Sequence, residues 1–207
     1  WNLNIEQQFT QALALQVGYI GSKGTKLVRL RDLNQPDANG NVAFPQFYTV
    51  DQFATISASN YNALQATLRT RNWHGLSGFT GYTWSKSLDD ASDGIDFNFA
   101  TVAFPQNSFD LASEYGPSNF DTKHRFTAAF TYQLPDLSSH KRLGSGWQFN
   151  TIMTAQSGRP VPIVSVNDTS GVYNYHQRPN VNPGVNPIVS NWESSPDGIG
   201  YLNPLAF

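Results

Sequence analysis

The chain has 207 residues, a formal net charge of −2, no cysteine, and 14% charged against 14% aromatic residues. That balance excludes disulfides and thiolate metal centres within the chain, and it lacks the basic footprint of a nucleic-acid binder. No run of apolar residues is long enough for a transmembrane helix, and at a mean hydropathy of −0.40 neutral polar residues fill the space that charges usually take.

Alternation of apolar and polar residues recurs about six times, the period of a half-covered β-strand. The first run, near 1–10, puts Trp1, Leu3, Ile5 and Phe9 on one side and Asn2, Asn4, Glu6 and Gln8 on the other. The second, near 12–21, sets Leu13, Leu15, Val17 and Tyr19 against Ala14, Gln16 and Gly18. The third, near 59–71, sets Leu64, Ala66 and Leu68 against Gln65, Thr67, Arg69 and Arg71. In the fourth, near 76–87, Leu76, Thr80, Tyr82 and Trp84 share a side and Phe79 breaks the polar one. The fifth, near 124–134, alternates Phe126, Ala128, Phe130 and Tyr132 with Arg125, Thr127, Thr131 and Gln133 until Pro135 ends it. The sixth, near 147–157, sets Trp147, Phe149, Met153 and Ala155 against Gln148, Asn150 and Gln156, with Ile152 on the polar side.

Length discriminates better than alternation. These runs span about 9–12 residues, where globular strands average about 5–6 and a tilted bilayer-crossing strand needs about 9–11. Connections alternate as well: short turns between the paired runs, then long segments near 22–58, 86–123 and 158–207. Outer-membrane barrels produce that rhythm with small periplasmic turns and large extracellular loops. Aromatic residues gather near the strand ends, where two interfacial girdles are expected. The pattern by itself leaves two all-β readings open. One is antiparallel up-and-down hairpins of a transmembrane β-barrel, about six strands of a larger barrel. The other is a secreted β-sandwich carbohydrate-binding module that stacks sugars on its aromatics.

Three segments carry a resemblance: SNYNALQATLRTRNWHGLSGFTGYTWSKSLDDAS, GPSNFDTKHRFTAAFTYQLP and GWQFNTIMTAQSGRPVPI. Together with the closing YLNPLAF, they resemble the barrel region of Oar-like TonB-dependent receptors. The resemblance implies a barrel of about 22 strands around an N-terminal plug, driven through TonB. It places the chain in the outer membrane, with outer-membrane lipid, the plug, TonB and an unknown large or scarce solute as partners. The chain has no signal peptide, plug or TonB-contacting segment. We therefore read it as an internal fragment cut at both ends, serving as barrel wall and extracellular loops.

Candidate sites are few. Gln65, Arg69 and Arg125, with Arg71 and Gln133, fall on the polar side, where they face a passing solute or plug or simply hydrate the lumen. Asp89, Asp90, Asp93 and Asp96 form an acidic cluster beside Gly94. Calcium favours such oxygen ligands, but Ala91 and Ala100 stand where an EF-hand needs ligands. A solvated acidic loop is the plainer reading. His74, His124, His140 and His176 are scattered, without zinc-binding spacing. Neither a nucleophile-elbow nor a phosphate-loop motif occurs. The expectation is a protein that is not an enzyme and carries no cofactor.

Overall fold

The computed structural model describes residues 1–92, 104–136, 144–165, 168, 171, 177–190 and 200–207. Seven strands form one sheet: β1 (Asn2–Thr10), β2 (Leu13–Asp32), β3 (Asp51–Trp73), β4 (Leu76–Asp89), β5 (Gly116–Pro117), β6 (His124–Gln133) and β7 (Gln148–Gln156). The order is β1-β2-β3-β4-β6-β7, with β5 paired to the end of β4, and every pairing is antiparallel. Among the described residues no ladder joins β1 to β7.

The two faces of this sheet follow from register, because directly opposed residues share a face. One row runs Ile5, Val17, Ala66, Tyr82, Phe126 and Ala155 across six strands. The next runs Gln7, Leu15, Leu68, Thr80, Ala128 and Met153. The intervening rows belong to the other face: Asn4, Gly18, Gln65, Thr83, Arg125 and Gln156, then Glu6, Gln16, Thr67, Gly81, Thr127 and Thr154. One face is therefore apolar and aromatic, the other polar, as the alternation predicts.

Among the described residues the apolar face has no protein cover. Leu3, Ile5, Phe149 and Met153 are 64%, 66%, 61% and 53% exposed, and among the described residues the buried hydrophobic ones are Leu30, Ala63, Ala128 and Ala206. Covering a large apolar side chain is worth roughly 1.5–3 kcal/mol. Four of them weigh as much as the whole stability of a typical domain, about 5–15 kcal/mol. A sandwich covers this face with a second sheet; here all the described strands lie in one, so the binding-module reading has no support. Hydrocarbon is the cover that fits a face of this kind.

The strands outrun their expected ends. The segment expected as a loop near 22–58 is strand as far as Asp32 and again from Asp51, so the connection shrinks to 33–50. Bulges hide the continuation: Lys26 has φ 56°, and the β2–β3 register shifts between Gly24 and Leu27 and again before Val28. Each bulge moves the side-chain parity by one, which breaks the period in the sequence. At 20 and 23 residues, these strands are about twice the length needed to cross a bilayer. Their upper halves stand clear of it on the long-loop side. The segment expected as a loop near 86–123 is likewise shortened, since β4 continues to Asp89 and β5 pairs with it.

Contacts divide the chain into two units, residues 1–32 with 51–161, and 33–50 with 162–207. In the second unit the buried Asn34 amide donates to the carbonyls of Phe44 (3.1 Å) and Phe47 (2.7 Å) and accepts from the Phe44 N–H at 2.7 Å. Asp37 takes the N–H groups of Asn39 and Asn41, and these bonds hold its carboxyl below the usual range. The Pro/Asn-rich stretch folds onto YLNPLAF: Asn182 N–H donates to Ala206 O at 2.8 Å and Val189 N–H to Tyr201 O at 3.0 Å.

Leu68→Arg, midway down the apolar face, is expected to destabilise the protein in lipid vesicles by about 2–4 kcal/mol, while Thr67→Arg costs less than about 1 kcal/mol. Guanidinium unfolding midpoints measure both; equal costs would show that the two faces are wrongly assigned.

Candidate functional site

Two polar regions stand out: the middle of the polar face and a buried cluster at its long-loop end. In the first, register brings the sequence-predicted residues together. Gln65 and Arg125 flank Thr83 in one row, and Arg69 lies two rows toward the short turns, opposite Ala14 and Phe79. The Arg69 guanidinium is 3.8 Å from the Glu6 carboxylate, and both side chains are more than half exposed. An exposed pair of this sort adds little stability, about 0–1 kcal/mol. Gln133 lies on the same face, opposite Gln148. The Arg71 N–H bonds to Ala12 O at 2.8 Å beside the first short turn.

The polar face departs from polarity along one row. Phe79, Ala129 and Ile152 are mutually opposed, next to Arg69, with Ile152 87% exposed. Sequence parity flags Phe79 and Ile152 as exceptions one at a time, and register shows that they form a strip.

At the long-loop end, the serines of YTWSKS alternate onto the polar face and receive the returning segment. Ser85 Oγ donates to Thr122 O at 2.9 Å, Ser85 N–H to Lys123 O at 3.0 Å, and Ser87 N–H to the Asp121 carboxylate at 2.8 Å. Ser87 Oγ lies 2.9 Å from Ser118 Oγ, and Ser118 N–H donates to Ser87 O at 3.0 Å. Ser85, Ser87, Asp89 and Ser118 are buried, so these bonds are made where water does not compete. The two motifs are thus the halves of one clasp that seats the loop on the strand end.

The acidic cluster divides the same way. Asp89 accepts from Ser92 Oγ at 2.7 Å. Asp90 accepts from Ser57 Oγ and from Ala58 N–H, the latter at 3.0 Å, and its carboxylate is 3.9 Å from the buried Arg29 guanidinium. Both carboxylates thus bind their own chain. Asp93 and Asp96 lie outside the described residues. Among the described residues no three His, Asp or Glu side chains converge for a metal. His74 lies in the short turn after Trp73, while His124 is at the far end of β6, its Nδ1 2.7 Å from the Tyr82 hydroxyl. His140 and His176 lie outside the described residues. Arg29, Ser57 and Asp121 went unflagged in the sequence. The paired spacing of Ser85 and Ser87 was the available signal, and Arg29 gave none because a bulge precedes it.

Above the cluster Asp32 and Asp51 face each other across the neck of the β2–β3 hairpin. Burial, then the Asp32 charge, raises the Asp51 carboxyl above its usual range.

A single sheet with one apolar and one polar face, strands of bilayer-crossing length and loops clasped at one end defines a transmembrane barrel wall. The family described as "Outer membrane beta barrel domain" matches residues 1–207, and the chain belongs to it. No curated protein and no solved structure matches the chain. The protein is accordingly an outer-membrane one: its apolar face meets lipid and its polar face the lumen.

Asp90→Ala is expected to cost about 1–3 kcal/mol, because it removes an ion-pair partner of the buried Arg29 guanidinium and the acceptor of Ser57 Oγ and Ala58 N–H. The loss should appear as faster amide exchange in residues 27–31 and 55–59, with the lower strands unaffected. For Asp51, a raised folded-state pKa means that its contribution is present at low pH and is lost as pH rises through that value. Amide exchange at the hairpin neck should therefore quicken as pH rises above about 4, and Asp51→Asn should abolish that dependence. A neck whose exchange, corrected for intrinsic rates, ignores pH would contradict the assignment.

Proposed function

We propose that this chain forms part of the wall and extracellular loops of a TonB-dependent outer-membrane transporter for a large or scarce solute. In this reading further strands pair with the outer edges of β1 and β7, which have no ladder partner among the described residues, since unpaired backbone groups are not tolerated in hydrocarbon. The complete protein carries a plug inside the lumen and is driven through TonB. The observation that favours it over an open pore is the Phe79–Ala129–Ile152 strip. A water-filled lumen gains nothing from exposed apolar side chains, whereas a plug packed against the wall buries them. Gln65, Arg69 and Arg125, on the same face, contact the plug or the passing solute. Their amide and guanidinium groups suit a polar or anionic surface. The chemistry required is binding and gating, with no bond made or broken, so the chain is not an enzyme.

The test uses the complete gene product with a single cysteine at position 152 (Ile152→Cys). A water-soluble maleimide is expected to label it at least tenfold more slowly in the intact protein than after deletion of the region preceding the barrel. Cross-linking in whole cells should also capture TonB. Equal labelling rates with no TonB adduct would overturn the reading.

A further inference from the structure

On the lipid-facing side, at the long-loop end, lies a recess of about 660 Å³. Its floor is the row of Tyr19, Leu64 and Trp84, all outward and 41%, 45% and 52% exposed. Immediately above, toward the loops, the next row of the same face holds Gly21, Asn62 and Lys86. Lys86 and Lys123 line the recess with Asp121 as the one carboxylate, and that carboxylate is already engaged by Ser87 N–H at 2.8 Å. Lys23 stands one row higher again on this face, opposite Asn60. The Tyr19 hydroxyl donates to Asn62 Oδ1 at 2.6 Å, and Asn62 in turn donates to Asn60 at 2.8 Å, so the polar rim is braced from within. No ion pair engages Lys23, Lys86 or Lys123 among the described residues.

We infer that this recess is a binding site for an anionic, phosphate-bearing lipid of the outer leaflet. Its acyl chains would lie against Tyr19, Leu64 and Trp84, and its phosphate would lie between Lys86 and Lys123 with Lys23 in reach. Three features commit the site to that occupant. The apolar floor continues into the hydrocarbon band, so a chain that enters it never leaves lipid. The cations stand directly above the floor, at the depth where a headgroup meets water. Three lysines against one engaged carboxylate give a local excess of positive charge, in a chain whose overall charge is negative. Aromatic rings at this depth favour the same boundary, and each lysine near an anionic lipid surface contributes roughly a fivefold gain in binding. The inference rests on the membrane location and not on the transport reading, so it stands or falls without TonB, plug or solute.

The full-length gene product, purified in zwitterionic detergent, is titrated by native mass spectrometry. The probes are a diphosphorylated multi-acyl lipid and its dephosphorylated counterpart with the same chains. The phosphorylated lipid is expected to bind at least tenfold more tightly. Lys86→Gln with Lys123→Gln should weaken it about tenfold to thirtyfold, leaving the dephosphorylated lipid unchanged. Lys86→Arg with Lys123→Arg should retain the preference. Equal binding of the two lipids by the unaltered protein overturns the inference, and that comparison needs no variant to fold. So does an undiminished preference in the double glutamine variant. Displacement of the lipid by millimolar inorganic phosphate would also overturn it, since the site would then hold a free ion and not a lipid.

Discussion

At hydrocarbon depth every backbone N–H and C=O must find its partner within the protein, and this constraint organises the rest of the molecule. It explains why the described strands form one continuous sheet from β1 to β7, with β4 paired along its length to β6 and at its tip to β5. It also explains the glycines that large residues overlie. Gly78 has φ 151°, and a Cβ there would collide with the Ala129 carbonyl and with Phe130. The closeness that keeps β4 hydrogen-bonded to β6 therefore requires glycine, and the Phe130 ring fills the space its missing side chain leaves. At Gly21 the space of the missing side chain is taken by the Trp1 indole. Pairing comes first, and side chains are chosen to permit it.

Beyond the bilayer water returns and the same backbone can be satisfied in more ways. There the sheet gives up regularity: β2 bulges at Lys26, the register slips twice, and serine hydroxyls and aspartates take over the bonding. The Arg29–Asp90 pair and the serine clasp at Ser85, Ser87 and Ser118 do for the loops what the ladder does for the wall. Buried charge is costly unless partnered, so these contacts fix where the loop segments sit. They hold a long connection against the barrel mouth without a hydrophobic core.

What was legible in the sequence follows from this difference. Alternation is enforced wherever one face meets lipid and the other the lumen, so the faces of Leu64, Gln65, Arg69 and Arg125 could be assigned by parity alone. Their rows could not, because register depends on partners far away in sequence: Gln65 and Arg125 meet only through Thr83. Parity fails at a bulge, which is why the strand beyond Gly21 looked like loop. The clasp was half visible, as two motifs whose serines and aspartate had no stated purpose until they were brought together. Asp90 reads in the sequence as part of a solvated acidic loop, because carboxylate spacing does not say which arginine stands opposite.

The two faces differ in how strictly they select residues. Lipid admits nothing charged at mid-depth, and the rows through Ala66 and Leu68 comply without exception. The lumen tolerates both kinds of residue, so an apolar side chain there is information of another sort. It is unforced by the solvent. Phe79 and Ile152, on either side of β6 and 73 positions apart in sequence, flank Ala129 in one row. Chance placement on a polar face does not readily align them. Under the proposed transport reading, a plug surface against the inner wall supplies a reason for that row, where bulk water supplies none.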